Sequence, residues 1–104
     1  METLTYRFEH GSRRLPSAPQ VVGVVGSGNL EVLIESAALG GACEIEIQTA
    51  AVGFGQIWEA VMRDFHQRWP LADARIAIND VGATPAVVSL RLDQAVQTML
   101  GTTP

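Results

Sequence analysis

Val21-Val22-Gly23-Val24-Val25-Gly26-Ser27-Gly28-Asn29-Leu30-Glu31-Val32-Leu33-Ile34-Glu35 is the stretch on which the fold turns. The valines before Gly26 are β-branched and favour the pleated, half-buried surface of a sheet. After Asn29 the chain alternates. Leu30, Val32 and Ile34 point one way, and Glu31, Leu33 and Glu35 point the other. Gly26-Ser27-Gly28-Asn29 lies between the two runs, and Gly and Asn accept positive φ cheaply. Two β runs around a short Gly/Asn turn predict a hairpin.

Downstream, residues 37–41 (AALGG) form a second turn. Cys43, Ile45 and Ile47 then alternate with Glu44, Glu46 and Gln48, the pattern of a strand with one wet face. These strands are expected to follow one another as a β-meander. Upstream, Thr5-Tyr6-Arg7-Phe8 reads as a short strand and residues 10–14 as a turn. Pro16 and Pro19 make residues 1–19 a partly irregular N-terminal segment.

Past Gly55 the period changes. Ile57, Trp58, Val61, Met62, Phe65 and Trp69 lie on one helical stripe over residues 56–69, read as core packing against the sheet. Glu59 with Arg63, and Asp64 with Arg68, are acid-first i,i+4 pairs. Pro70 stops the helix. Residues 74–79 form a strand with Ile76 and Ile78 on one face, and Asp80-Val81-Gly82 turns the chain. Thr84-Pro85 is a helix start, a capping hydroxyl followed by proline at the first helical position. Val88, Leu92, Ala95, Val96 and Met99 then line a helix to about Leu100. Val87, Val88, Leu90 and Leu92 also fit a strand, but the Thr-Pro start and the downstream spacing favour helix. The order predicts an α+β fold, a two-layer α/β sandwich with helices on one face of a mostly antiparallel sheet. It is expected as a single domain over residues 1–104, with 101–104 as a tail.

The composition agrees. A chain of 104 residues with 47% hydrophobic content builds one core without a disulfide or metal. It is too apolar to be intrinsically disordered. No apolar run approaches the roughly 20 residues of a membrane span, and the start does not read as a signal peptide. Seven arginines, no lysine and 11 acidic residues give a net charge of -4. That balance argues against nucleic acid and anionic membranes as partners. The missing lysine removes Schiff-base chemistry. The lone Cys43 cannot form an internal disulfide, which fits a reducing, cytoplasmic setting.

Few residues carry chemistry. His10 and His66 stand apart from any metal-ligand spacing, so no metal site is expected. Cys43 opens an apolar strand face and reads as a small buried hydrophobe, not a nucleophile. Glu31, Glu35, Glu44 and Glu46 decorate the outer sheet face, solvated or docking a basic partner. Gly26-Ser27-Gly28 is neither a nucleophile elbow nor a dinucleotide fingerprint. Gly82-Ala83-Thr84-Pro85 leads into a helix N-terminus and is a weak phosphate-site signal. Ser27 has no base beside it and is a poor nucleophile of its own. Flanked by two glycines at a hairpin tip, it is open to modification by another enzyme, although an ordinary turn serine is the commoner meaning of such a residue.

The runs VVGVVGSGNLEVLIE and RIAINDVGATPAVVSLRLDQA resemble the acyl carrier (delta) subunit of bacterial malonate decarboxylase, from about Leu4 to Leu100. The carrier (gamma) subunit of citrate lyase looks like a more distant relative. The resemblance implies a non-catalytic carrier with an acetyl or malonyl thioester on a phosphoribosyl-dephospho-coenzyme A arm, 2'-(5''-phosphoribosyl)-3'-dephospho-CoA. Ser27 matches the family serine that bears this arm through a phosphodiester. The implied partners are an acyl-transferase (alpha) subunit, decarboxylase (beta, gamma) subunits and a holo-carrier synthase. The helix over residues 57–69 is expected to back the hairpin. Arg13, Arg14 and Arg75 are candidate phosphate partners, and Glu31 is placed to orient a partner arginine. The alternatives are an unmodified interaction module and the carrier of a citrate-lyase-type complex.

Overall fold

The structure, a computed structural model, describes residues 1–14, 23–27 and 29–100, with backbone alone for 23–27 and Leu100. The expectations for Pro16, Pro19, Val21, Val22, Gly28 and the tail over 101–104 lie outside the described residues. The elements run β1 (Glu2–Phe8), β2 (Arg13–Arg14), β3 (Gly23–Ser27), β4 (Leu30–Ser36), β5 (Cys43–Thr49), α1 (Gly55–Arg68), β6 (Leu71–Ala72), β7 (Ala74–Asp80) and α2 (Pro85–Leu100). The fold is α+β, two helices on a mixed but mostly antiparallel sheet, as the sequence pattern predicts. The 85–100 segment is helical, and Val87 N–H donates to the Thr84 hydroxyl at 3.3 Å, so threonine caps the helix as read.

The strand connectivity departs from a meander. The order is β1-β5-β7-β4-β3, so β4 and β5 are not neighbours. β7 inserts between them, antiparallel to β4 and parallel to β5. The physical reason is the crossover. A helix between two strands returns the chain to the same end of the sheet, so β7 runs alongside β5 in the same direction. Alternation along a strand reveals which face is buried but not which neighbour it takes.

The register keeps one apolar face in line across the strands. Leu4, Ile47, Ile78 and Val32 share one row, and Tyr6, Ile45, Ile76 and Ile34 share the next. Trp58, Met62, Phe65 and Trp69 cover this face from α1, and Val88, Leu92, Ala95, Val96 and Met99 from α2. The opposite face carries Glu31, Glu44, Glu46, Arg75 and Asn79, the wet side expected for it.

One predicted member of the α1 stripe fails to reach the core. Ile57 is exposed. It stands one residue before Trp58, about 100° round the helix and off the buried stripe of Trp58, Met62 and Phe65.

Short strands β2 and β6 pair in parallel and close the far end. Gly11 permits this closure. A Cβ there would stand 2.0 Å from the Leu71 carbonyl oxygen, so no side chain fits. Trp69 is fully buried beside it, its indole N–H donating to Asp93 Oδ1 at 3.1 Å and the Arg13 guanidinium 5.0 Å from its ring centre.

Candidate functional site

Ser27 is the last residue of β3 and pairs with Leu30, the first residue of β4. The same register row continues through Asp80, Thr49 and Glu2. The hairpin is present, but Gly26 and Ser27, read as part of its turn, are paired in β3 with Glu31 and Leu30, so Ser27 ends a strand at one rim of the sheet. Neighbouring strands lie about 4.8 Å apart, so the β7 backbone at Asp80 is about 10 Å from that of Ser27.

Asp80 organises this rim. It is buried, and one carboxylate oxygen accepts the Thr49 hydroxyl at 2.9 Å. The other accepts the backbone N–H groups of Gly82 at 3.2 Å and Ala83 at 2.8 Å. A buried carboxylate is tolerable only when so partnered. The bonds shape the loop from β7 into α2. Gly82 sits there at φ 122, a conformation that side chains rarely adopt. Val81 N–H donates to the Asn29 carbonyl at 3.0 Å, which ties this loop to the residue after the Ser27-Gly28 pair.

The helix behind the hairpin is α2, which packs on β3 and β4, and not the helix over residues 57–69. The inserted β7 explains the difference. α1 follows β5 and lies toward β1, whereas α2 follows β7 and lies toward β4 and β3.

The arginines singled out from sequence stand elsewhere. Arg75 is five residues down β7 from Asp80, roughly 16 Å away along a strand, and is paired with Glu44. Arg14 pairs with Asp73, and Arg13 stacks on Trp69, both at the β2–β6 end. Glu31 is exposed beside the hairpin and accepts the Asn79 amide at 3.4 Å. Sequence reasoning passed over Arg91. It lies on α2 and has no acidic partner among the described residues, and its Nε–H is buried without a hydrogen bond. Among the described residues its side chain bonds from Nη1 to Gln94 at 2.8 Å. An orphaned guanidinium N–H on the helix that packs against β3 suits an anion. Ser27 ends a strand of the hairpin, and Arg91 lies on the helix that packs against that strand.

The other reactive side chains are occupied. Cys43 is fully buried, and burial, with Glu44 adding to it, pushes its thiol up to about 12. A thiol held protonated is no nucleophile. His66 stacks on Phe8 with ring centres 4.7 Å apart, and its Nε2 lies 3.3 Å from the Leu71 carbonyl oxygen. Among the described residues no three His, Cys, Asp or Glu side chains gather as a metal site, and no helix is long and apolar enough to cross a membrane.

A cavity of about 300 Å³ opens beside Asp80. Ala51, Phe54, Ile57, Trp58, Pro85 and Val88 make its apolar wall.

Comparison with known proteins gives a consistent answer. Residues 17–99, which include Ser27, Asp80 and Arg91, match the family described as Malonate decarboxylase delta subunit (MdcD). The chain is 62% identical over 105 residues to a malonate decarboxylase acyl carrier protein of Stenotrophomonas maltophilia, covering 100% of this chain and 99% of the relative. It is 65% identical over 96 residues to the protein of that name from Burkholderia cepacia, covering 91% of this chain and 87% of the relative. Among solved structures it matches a chain in the crystal structure of a Pseudomonas malonate decarboxylase hetero-tetramer in complex with malonate. The TM-score is 0.74, with 39% identity over 95% of this chain and 99% of that one. The chain belongs to the family of malonate decarboxylase delta subunits, the acyl carrier proteins of that enzyme.

Proposed function

We propose that this chain is the acyl carrier subunit of a malonate decarboxylase, and that it bears its acyl group on an arm joined to Ser27. The observation that carries the proposal is the place of Ser27. It ends a strand at the rim of the sheet, inside the segment that matches the family. The arm, phosphoribosyl-dephospho-coenzyme A, supplies a terminal thiol on which acetyl and malonyl are exchanged as thioesters.

The chain's own residues hold and present. Ser27 contributes the ester oxygen. Arg91 is the cation available to the phosphate, since every other arginine is paired with an acid or stacked on Trp69. β4 on one side and α2 behind make the attachment point rigid, so that motion belongs to the arm. The carrier tethers the substrate and raises its effective concentration at the catalytic subunits. Bond-making belongs to those partners, an acyl-transferase and a decarboxylase. A buried, protonated Cys43 and a stacked His66 fit a chain that does not catalyse. A holo-carrier synthase would attach the arm.

Ser27→Ala in the complete complex tests the proposal. Malonate decarboxylation is expected to vanish while the variant chain still folds and assembles. A variant complex that works like wild type would leave an unmodified interaction module.

A further inference from the structure

Four of the six large hydrophobic side chains exposed among the described residues gather at one end of the sheet. They are Val52 (68% exposed), Phe54 (48%), Ile57 (47%) and Val81 (60%). Phe54 and Ile57 line the cavity beside Asp80, and Val81 is bonded through its N–H to Asn29, next to the Ser27 turn. An apolar group of this kind, surrounded by polar residues, marks an interaction site.

The charges are segregated along the same axis. Arg7, Arg13, Arg14, Arg68 and Arg75 stand toward the opposite end of the sheet. Arg7 and Arg75 reach Glu44, Arg14 reaches Asp73 beside β6, and Arg68 closes α1. Arg63 and Arg91 lie partway along the helices. The end that holds the apolar group carries Glu2 and Glu31, the buried Asp80, and Glu59 with its partner Arg63, and no other arginine. In a chain of net charge -4 this end has a negative potential.

We infer that this end is a docking surface for a partner protein that sets an apolar side chain into the cavity and surrounds it with lysine or arginine. The inference deepens the carrier reading and rests on it, because the partners that act on an arm joined at Ser27 must sit within its reach of this rim. Opposite charge steers the encounter, and the desolvated apolar contact holds it.

The test is competition for a place in the complete complex. The other subunits are co-expressed with equal amounts of tagged wild-type chain and an untagged variant, and intact mass gives the ratio incorporated. Val81→Glu and Ile57→Glu are expected to incorporate at under a tenth of wild type, and the milder Val81→Ser at an intermediate level. Each variant must melt within a few degrees of wild type. Glu2→Arg with Glu31→Arg is expected to lose incorporation too. Arg75→Glu at the far end, and Ser27→Ala, are expected to incorporate as wild type. Val81→Glu and Ile57→Glu incorporating as wild type would overturn the inference. Equal loss in Ser27→Ala would overturn it by assigning the surface to the arm. A dimer of the free chain that Val81→Glu dissociates would overturn it in favour of a second copy. If the patch variants fail and Ser27 proves unmodified in the native complex, the docking surface stands and the arm does not.

Discussion

The backbone N–H of Val81 donates to the carbonyl oxygen of Asn29 at 3.0 Å, joining the loop after β7 to the turn after Ser27. The loop itself hangs on Asp80, whose two oxygens receive one hydroxyl and two backbone N–H groups. Asp80 thus holds the rim that presents Ser27. Asp80→Ala strands three donors and is expected to cost about 3 kcal/mol, read by urea unfolding. Asp80→Asn keeps one carbonyl acceptor and should cost less. Equal stability of Asp80→Ala and wild type would show that the rim is held by something else.

Gly11→Ala is a second sharp case. Its Cβ would collide with the Leu71 carbonyl and the Ala72 Cα, both backbone. Backbone cannot swing aside, so β2 and β6 must part. A loss of about 2 kcal/mol or more is expected in the same unfolding measurement, against a few tenths at Gly55, where a Cβ meets only Leu4 at 3.9 Å.

Cys43 makes stability fall in alkali. Its thiol titrates near 9.0 when free but about 12 when folded. Between these values the unfolded chain has lost the proton and the folded chain keeps it. Stability therefore falls as pH rises, by about 1.4 kcal/mol per unit from this group alone. Tyr6 is also raised, by burial and by Glu59 and Glu2, and adds its own loss at higher pH. Cys43→Ala keeps the tyrosine contribution and is expected to flatten the slope between pH 9 and 11. An unchanged slope would contradict the assignment.

Much of this was legible in the sequence, and the gaps have physical causes. Alternation locates β4, β5 and β7, the run of valines locates β3, and Thr84-Pro85 locates the start of α2. The hairpin at Ser27 followed from Gly and Asn chemistry. The place of β7 between β4 and β5 was not legible, because a strand's own pattern does not name its neighbours. That insertion also put α2 behind the hairpin. Ile57 lies at the edge of the helical stripe, and the buried part of that stripe is narrower, running through Trp58, Met62 and Phe65. Arg91 gave no local signal, since its orphaned Nε–H depends on what α2 packs against. Arg13, Arg14 and Arg75 are phosphate candidates by charge, and the topology carries them to the far end.

Arg91 supplies a prediction with opposite signs in two states. In the unmodified chain its buried Nε–H lacks a partner, so Arg91→Gln should leave the melting temperature unchanged or raise it. In the chain carrying the phosphodiester the same variant should lose about 1 kcal/mol or more, the worth of a charge-assisted hydrogen bond. Thermal melts of both forms separate the two states. Equal shifts in both would remove Arg91 from the phosphate.

The central claim is that Ser27 carries a covalent acyl arm, and the most direct measurement is the mass of the chain taken from its native complex. With no lysine in the sequence, trypsin releases residues 15–63 as one peptide holding Ser27. The expected result is a mass excess equal to phosphoribosyl-dephospho-coenzyme A, placed on Ser27 by fragmentation. An unmodified residue 15–63 peptide from an active native complex would contradict the account.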